Sequence, residues 1–410
     1  MSQSRAVPKP TDRFERKREA VLDAATRILN DKGVKGLTLS DTAAAVGLST
    51  TSVTYYFRRK DDLAAASITR GIETLHVLAQ TAIQAATPPE RLRLFLSLYL
   101  DVVRAILSGQ ASPLPAISEL RALSSPRREE VAAAYGRLFR TTRQIFEHPE
   151  LAWMSRGRRT ARTRVLLEQV FWGNGWLVHR EPADAARIGE AMADILLNGM
   201  AAPAATWAPT GLAIRPHPAK LSADRARDTF LLAATRLINL RGYRGASVDK
   251  ISAELNVTKG SFYHHNDAKD DLVVACFQRT FEVMDRALSL AGGKPIEAWG
   301  QLSACASALA EFQLSEDGPL LRRSALTALP PTMRGAMEDQ SNSITARFAA
   351  MISAGVADGS LRPLDPTIAA QMLNATLNAC ADLGDLVPDV RPKAAAAVFV
   401  KPLMMGIFER

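Results

Sequence analysis

The chain has 410 residues, 47% hydrophobic and 23% charged, with a net charge of +9 and a pI near 9.6. That length accommodates two to four domains of about 100–200 residues, and the composition is that of a globular chain with a sizeable core. The basic balance suits a polyanionic partner, and the scattered cysteines Cys276, Cys305 and Cys380, with no C-x-x-C pair, exclude a disulfide framework and a cysteine zinc site.

Residues 1–11 read as a basic, proline-containing arm without the apolar stretch of a signal peptide. The most hydrophobic run, Ala394–Phe408, is interrupted by Lys401 and Pro402 and falls short of the ~20 apolar residues of a membrane span. A cytoplasmic chain without a membrane partner is expected. A helix is predicted from Asp12, with Phe14, Val21, Leu22, Ala25, Ile28 and Leu29 on its apolar face, ending at Gly33. Thr38 and Asp41 form a T-x-x-D cap for a second helix that buries Leu39, Thr42, Ala43 and Val46, and Gly47 supplies the positive-φ turn. Ser49 caps a third helix, opened by Thr50, Thr51 and Ser52 and closed by Tyr55, Tyr56 and Phe57; Lys60-Asp61-Asp62-Leu63 opens a fourth.

Residues 71–200 read as amphipathic helices punctuated at Thr87–Pro89, Gly109–Pro115, Ser124–Pro126, His148-Pro149 and Glu181-Pro182. Residues 201–220 hold four prolines and read as a semi-rigid linker. The plan then recurs at an offset of 209 positions. Ala24–Arg27 returns as Ala233–Arg236, Asn30 as Asn239, Gly33 as Gly242 and Lys60–Leu63 as Lys269–Leu272; 13 of the 40 positions from Ala24 to Leu63 are identical without a gap. Ser247 caps the helix carrying Val248, Ile251 and Leu255, Asn256 makes its turn, and Thr258 caps the next, which carries Lys259, Gly260, Ser261, Phe262, Tyr263 and His264. From residue 283 the chain is again helical, with breaks at Gly292–Pro295, Glu316–Pro319, Pro330-Pro331, Gly355–Pro366 and Val387–Pro392.

Helix, tight turn and a second helix with a small polar leading edge is a helix-turn-helix, whose second helix enters the DNA major groove N-terminus first. Thr50, Thr51 and Ser52 in the first copy, and Lys259, Gly260 and Ser261 in the second, have the size and hydrogen-bonding groups for base edges. The helix starts capped by Thr38, Ser49, Ser247 and Thr258 present backbone N–H groups to a phosphate. Lys60 and Lys269 can reach the phosphate from the next helix start, and Tyr55, Tyr56, Tyr263 and His264 offer polar tips for phosphate contacts.

Both segments resemble the N-terminal DNA-binding domain of TetR-type transcriptional regulators, over roughly Asp12–Arg70 and Ala223–Arg279. The resemblance implies an all-α chain of two tandem units. Its parts are a first helix-turn-helix domain (1–70), a helical ligand-binding and dimerisation region (71–200), a linker (201–220), a second helix-turn-helix domain (221–282) and a second helical region (283–410). It also implies a double-stranded DNA operator as partner, a small-molecule effector of unknown identity, and no cofactor. The family position of dimerisation falls on Thr163–Val178 with Asp184–Met200, and on Pro366–Asp385 with Pro392–Ile407. Their small residues (Ala185, Ala186, Gly189, Ala193, Ala369, Ala370, Ala375, Ala379) allow close helix packing, so the halves pair within one chain or the chain forms a homodimer. Two positions depart from the family pattern. Thr54 stands where a tyrosine is usual, and Asn266 stands where the first copy has Phe57.

No G-x-S-x-G, H-E-x-x-H or phosphate-binding glycine loop is present, and adjacent His264-His265 point about 100° apart on a helix, so neither an enzyme nor a metal site is indicated. The competing expectation is a small-molecule-binding helical protein in which one DNA-binding copy is degenerate and only structural. Trp153, Phe171, Trp172 and Trp176 around the arginine-rich run Arg156–Arg164 are expected in core or interface rather than in a ligand site.

Overall fold

A computed structural model of the protein describes residues 12–214, 222–245, 250–251, 253, 269–382 and 391–410. Among these residues the chain is helical, apart from one isolated backbone bridge between Ala201 and Leu361. The first half comprises α1 (Asp12–Gly36), α2 (Leu39–Ala45), α3 (Thr50–Tyr56), α4 (Lys60–Ala82), α5 (Pro88–Leu107), α6 (Arg127–Arg143), α7 (Arg156–Trp176) and α8 (Ala185–Asn198). The second half comprises α9 (Ser222–Gly245), α10 (Lys269–Gly292), α11 (Ala298–Gln313), α12 (Pro331–Asp358), α13 (Pro366–Ala379), α14 (Pro392–Ala395) and α15 (Lys401–Met405). A π-helical segment, Ala396–Val400, joins the last two.

Prolines in the first helical turn start α5, α12, α13 and α14, because a missing N–H costs nothing where no intrahelical acceptor exists. Among the described residues the expected breaks fall where proline and glycine put them, with one exception; most of the break expected at Val387–Pro392 lies outside the described residues. α12 runs through Gly355 to Asp358 and stops at left-handed Gly359. Gly355 lies within the helix because a Cβ there would collide with Leu361; the glycine serves close packing, not termination.

In each half the long helix after the helix-turn-helix segment (α4, α10) continues into the helical region and packs on α6 or α12. One apolar core extends from Val21, Leu29 and Phe57 through both helical regions to Ile407. A smaller second core gathers Phe230, Leu231, Leu237, Ile251, Leu272 and Phe277 around α9 and α10.

The halves meet through α7 and α8 of the first and α13, the π-helical segment and α15 of the second. Gln169 Nε2 donates to Met372 O and to Thr376 Oγ1 at 3.2 and 3.1 Å, and Trp172 Nε1 donates to Gln371 Oε1 at 2.9 Å. A buried Arg164–Glu168 ion pair of 2.7 Å extends the seam to Asn378, whose amide donates to Glu168 Oε1. At the edge of this interface two glycines cross. Gly199 (φ 71°) and Gly406 (φ 117°) adopt left-handed backbones, and a Cβ on either would lie 2.5–2.7 Å from a carbonyl oxygen of the opposite half. Ala185 and Ala193 of α8 are buried as close packing requires, but the other two small residues behave differently from expectation. Ala186 is exposed, and Gly189 makes room for Leu100 of its own half.

Candidate nucleic-acid interface and ligand cleft

The first helix-turn-helix is built as its sequence suggests. α1 kinks at Gly33 (φ 61°), Thr38 Oγ1 accepts the Asp41 N–H at 2.9 Å, Gly47 turns the chain at φ 64°, and Ser49 Oγ accepts the Ser52 N–H at 3.2 Å. Thr42, Ala43, Val53 and Phe57 form its interior, with Leu39 and Val46 half-buried. This leaves Thr38, Ser49, Thr50 and Thr51 exposed on one edge. Ser52 is half-buried and its hydroxyl lies 2.9 Å from that of Ser49. Thr54 returns its hydroxyl to Thr51 O at 2.8 Å, so it is committed to its own helix.

The aromatic pair divides its roles. Tyr55 is 76% exposed and meets Phe14 and Tyr56 edge-on at 5.9 and 5.5 Å. Tyr56 is half-buried, with its ring 4.8 Å from that of Phe14. Phe57 is buried beneath the Arg18 guanidinium, 5.5 Å from its ring centre. Lys60 starts α4 and donates to Lys35 O at 3.4 Å, which fixes its stem along the end of α1. Arg58 and Arg59, exposed between α3 and α4, extend the basic edge and were not among the sequence candidates; two consecutive arginines just past a recognition helix are the signal for them.

In the second copy Ser247, Thr258, Lys259, Gly260, Ser261, Tyr263, His264 and Asn266 lie outside the described residues. Lys269 is described and opens α10 in the same way as Lys60 opens α4. It is half-buried, and burial first, then Lys35 and Lys250 nearby, pull its ammonium down to about 8, with Asp270 opposing. Lys35 thus faces both basic helix starts, a role its sequence position at the end of α1 does not announce.

Each helix-turn-helix segment is tied to the body by an asparagine clamp. Asn30 donates to Leu114 O and accepts from Ala116 N, both at 2.8 Å. Asn239 donates to Leu320 O at 2.8 Å and accepts from Arg322 N at 3.1 Å. The clamps align the 3-10 segments Ile117–Ala122 and Arg323–Ala328, and these cross between halves. Glu119 Oε2 accepts the Val34 N–H at 2.8 Å and Glu119 Oε1 accepts the Thr327 hydroxyl at 3.0 Å. Arg334 on α12 pairs with Asp31 on α1 at 3.3 Å.

Beside Arg323–Ala328 the second half opens a small cleft that is partly open to solvent. Its apolar walls include Phe277, Phe281, Met284, Leu326 and Ile344, and Trp172 of the first half closes one side. Arg322 and Arg323 also line it. The Arg323 guanidinium stacks 4.9 Å from the Trp172 ring, and burial lowers its pKa against the opposing influence of Glu338. No ligand residue was assigned from the sequence. Its legible trace is the adjacent Arg322-Arg323 pair in the otherwise apolar stretch after Pro319. Trp172 belongs to the interface as expected and also to this cleft; Trp153 is a structural stack under Arg158, Arg162 and Arg410. Among the described residues no cluster of three or more metal-ligating side chains occurs, and no helix is long and apolar enough to cross a membrane.

A family profile described as "Bacterial regulatory proteins, tetR family" matches the chain twice, at residues 21–67 and 230–276. The chain is 37% identical over 76 residues to the HTH-type transcriptional regulator BetI of Rhizobium meliloti (strain 1021), covering 18% of this chain and 37% of that protein. It is 42% identical over 45 residues to the Transposon Tn10 TetC protein of Escherichia coli, covering 11% of this chain and 23% of that protein. The chain therefore matches only about a quarter to a third of the length of these curated relatives. Among solved structures, the TetR family transcriptional regulator PfmR of Thermus thermophilus overlays 45% of this chain and 95% of its own, at 21% identity and a TM-score of 0.36. With the family profile met at both copies of its internal repeat, the chain carries two TetR-like segments in tandem.

Proposed function

We propose that this protein is a cytoplasmic, sequence-specific DNA-binding transcriptional regulator. Its two helix-turn-helix segments read adjacent major-groove half-sites, and a small molecule bound in a helical region releases the DNA, which makes it a repressor. The observation that carries the reading is the exposed leading edge of α3. There Thr50 and Thr51 project from a helix start capped by Ser49, flanked by the capped start at Thr38 and by the exposed Tyr55. Hydroxyls and unpaired helix-start N–H groups are the groups that meet base edges and phosphates. Half-sites centred about 34–36 Å apart are expected for such a pair. The operator need not be a palindrome, because the two leading edges differ (Thr-Thr-Ser against Lys-Gly-Ser).

The segment from Arg322 to Thr327 supplies the coupling. It borders the cleft, its Arg322 N–H holds Asn239 of α9, and its Thr327 hydroxyl reaches Glu119, which holds α1. A ligand that repositions this segment acts on both readers through short polar contacts, with a coupling of about 1–3 kcal/mol typical of such devices.

A second reading, one working reader and one structural copy, is favoured by the half-burial of Lys269 among Lys35 and Lys250. Selection of bound DNA from a random pool, followed by anisotropy titrations of Lys60→Ala and Lys269→Ala, tests both readings. Comparable losses in the two variants support two readers, and a loss at Lys60 alone supports the second reading. The absence of any selected sequence refutes both.

A further inference from the structure

The cleft of the second half is nearly self-satisfied in its neutral polar groups. Gln313 donates to Leu377 O and accepts from Leu320 N, both at 2.9 Å. Thr280 accepts the Leu321 N–H at 2.9 Å and donates to Cys276 O at 3.0 Å. Asn378 accepts from Arg323 N while donating to Glu168, and the Trp172 indole is bound to Gln371. The guanidinium of Arg323 is different. It rests on the Trp172 ring, and the carboxylate that acts on it, Glu338, does so through space, with no hydrogen bond or ion pair between them among the described residues. Buried Asn374, also in the lining, leaves its Oδ1 without a partner among the described residues. A partly buried cation stacked on an aromatic face, beside apolar walls, is a receptor for an anion with an apolar body.

The matching positions in the first half carry no arginine. The asparagine clamps pair Arg322 with Ala116 and hence Arg323 with Ile117, which is buried. Beside it Pro115 packs so closely on Gly71 that a Cβ there would collide with the proline ring. The space that Thr280 and Arg323 border in one half is filled in the other.

Resting on the reading of this protein as a ligand-responsive regulator, we infer that the cleft binds one amphipathic carboxylate per chain. The carboxylate pairs with Arg323, and an aromatic or aliphatic body lies against Phe277, Phe281, Met284 and Ile344. Trp172 of the first half backs the charged end, so the occupied site spans the seam between the halves.

Titration calorimetry of the full chain with 4-phenylbutyrate and with its neutral analogue 4-phenylbutyramide tests this. The carboxylate should bind at least ten-fold more tightly, with one site per chain. Arg323→Gln should abolish that preference while leaving the amide within two-fold, and Arg323→Lys should retain part of it, which excludes a general folding defect. Equal binding of the two probes, no binding of either, or a preference that survives Arg323→Gln overturns the inference. DNA anisotropy on the same preparations separates the failures. Intact DNA binding without carboxylate preference removes only the ligand class, whereas carboxylate preference without DNA binding removes the regulator reading.

Discussion

Replacing Glu119 by alanine removes a side chain that links α1 to the opposite half through both of its oxygens. The Val34 N–H, which loses its intrahelical acceptor at the Gly33 kink, donates to Glu119 Oε2 at 2.8 Å, and Val34 is buried. A buried donor left unsatisfied costs about 1–3 kcal/mol. The second oxygen accepts the Thr327 hydroxyl, which also lies 3.0 Å from Ser324 O, so this bond contributes only about 0.5–1 kcal/mol. Glu119→Ala should therefore weaken the end of α1 by roughly 2–4 kcal/mol. Glu119→Gln keeps an acceptor for Val34 and should cost less than about 1 kcal/mol. Thr327→Val, which removes the inter-half bond alone, should cost about 0.5–1 kcal/mol. Tryptophan fluorescence is a poor probe here, because all five tryptophans lie outside the two helix-turn-helix segments. Native-state hydrogen exchange of peptides covering residues 28–40 reads the opening directly. At 1.4 kcal/mol per decade, Glu119→Ala should raise their exchange rates by roughly 30- to 700-fold. An increase below about five-fold, or equal effects for alanine and glutamine, would refute this account of how the first reader is fastened.

Phe57→Ala should unfold the first helix-turn-helix locally, at a cost of about 3–5 kcal/mol, because Phe57 is buried under Arg18 in a very small core; circular dichroism should show lost helix and DNA titration lost binding, and full retention of both would contradict it. Arg164→Met should destabilise the chain by about 3–5 kcal/mol in urea, since it strands the Glu168 carboxylate inside the seam; an additional Glu168→Met should recover much of that. Lys269 predicts a pH effect. Its folded value of about 8 lies below the ordinary 10.5, so the unfolded chain holds the proton more tightly, and this group's penalty on stability persists below pH 8 and is relieved as pH rises from 8 to 10.5. If Lys269 contacts phosphate as proposed, the same deprotonation removes that cation, so DNA affinity should fall between pH 7 and 9 in the wild type and less in Lys269→Arg, which stays charged; superimposable pH profiles would show that Lys269 makes no phosphate contact.

Much of the first helix-turn-helix was legible because each of its features rests on one or two neighbouring residues. Thr38 and Ser49 cap the helices they precede, Gly33 and Gly47 carry the positive φ that their turns require, and prolines set the helix starts. The internal offset of 209 positions carried the same reading to α9 and α10. The cleft was not legible, since Arg323 acquires its meaning only from Trp172, a residue of the other half brought beside it by the seam. Glycine and alanine misled where packing rather than backbone freedom explains them. Gly355 yields to Leu361 inside a continuous helix, and Gly189 yields to Leu100 in its own half. The burial of Lys269 is likewise a product of Lys35 and Lys250 arriving from elsewhere in the chain.

The crossing of Gly199 and Gly406 joins two halves that a single peptide also connects through residues 201–214, which return across the surface to place Trp207 against Trp299. A connection of this length holds the halves at an effective concentration of the order of millimolar. Dilution therefore cannot separate them. Under the proposed reading of one chain as a complete pair of readers, DNA occupancy should rise in simple proportion to the number of chains, without the lag at low abundance that a pair assembled from separate chains must show. The two halves are also free to drift apart in sequence, one keeping a filled interior and the other an open, cationic one, because a change in either is never copied into its partner.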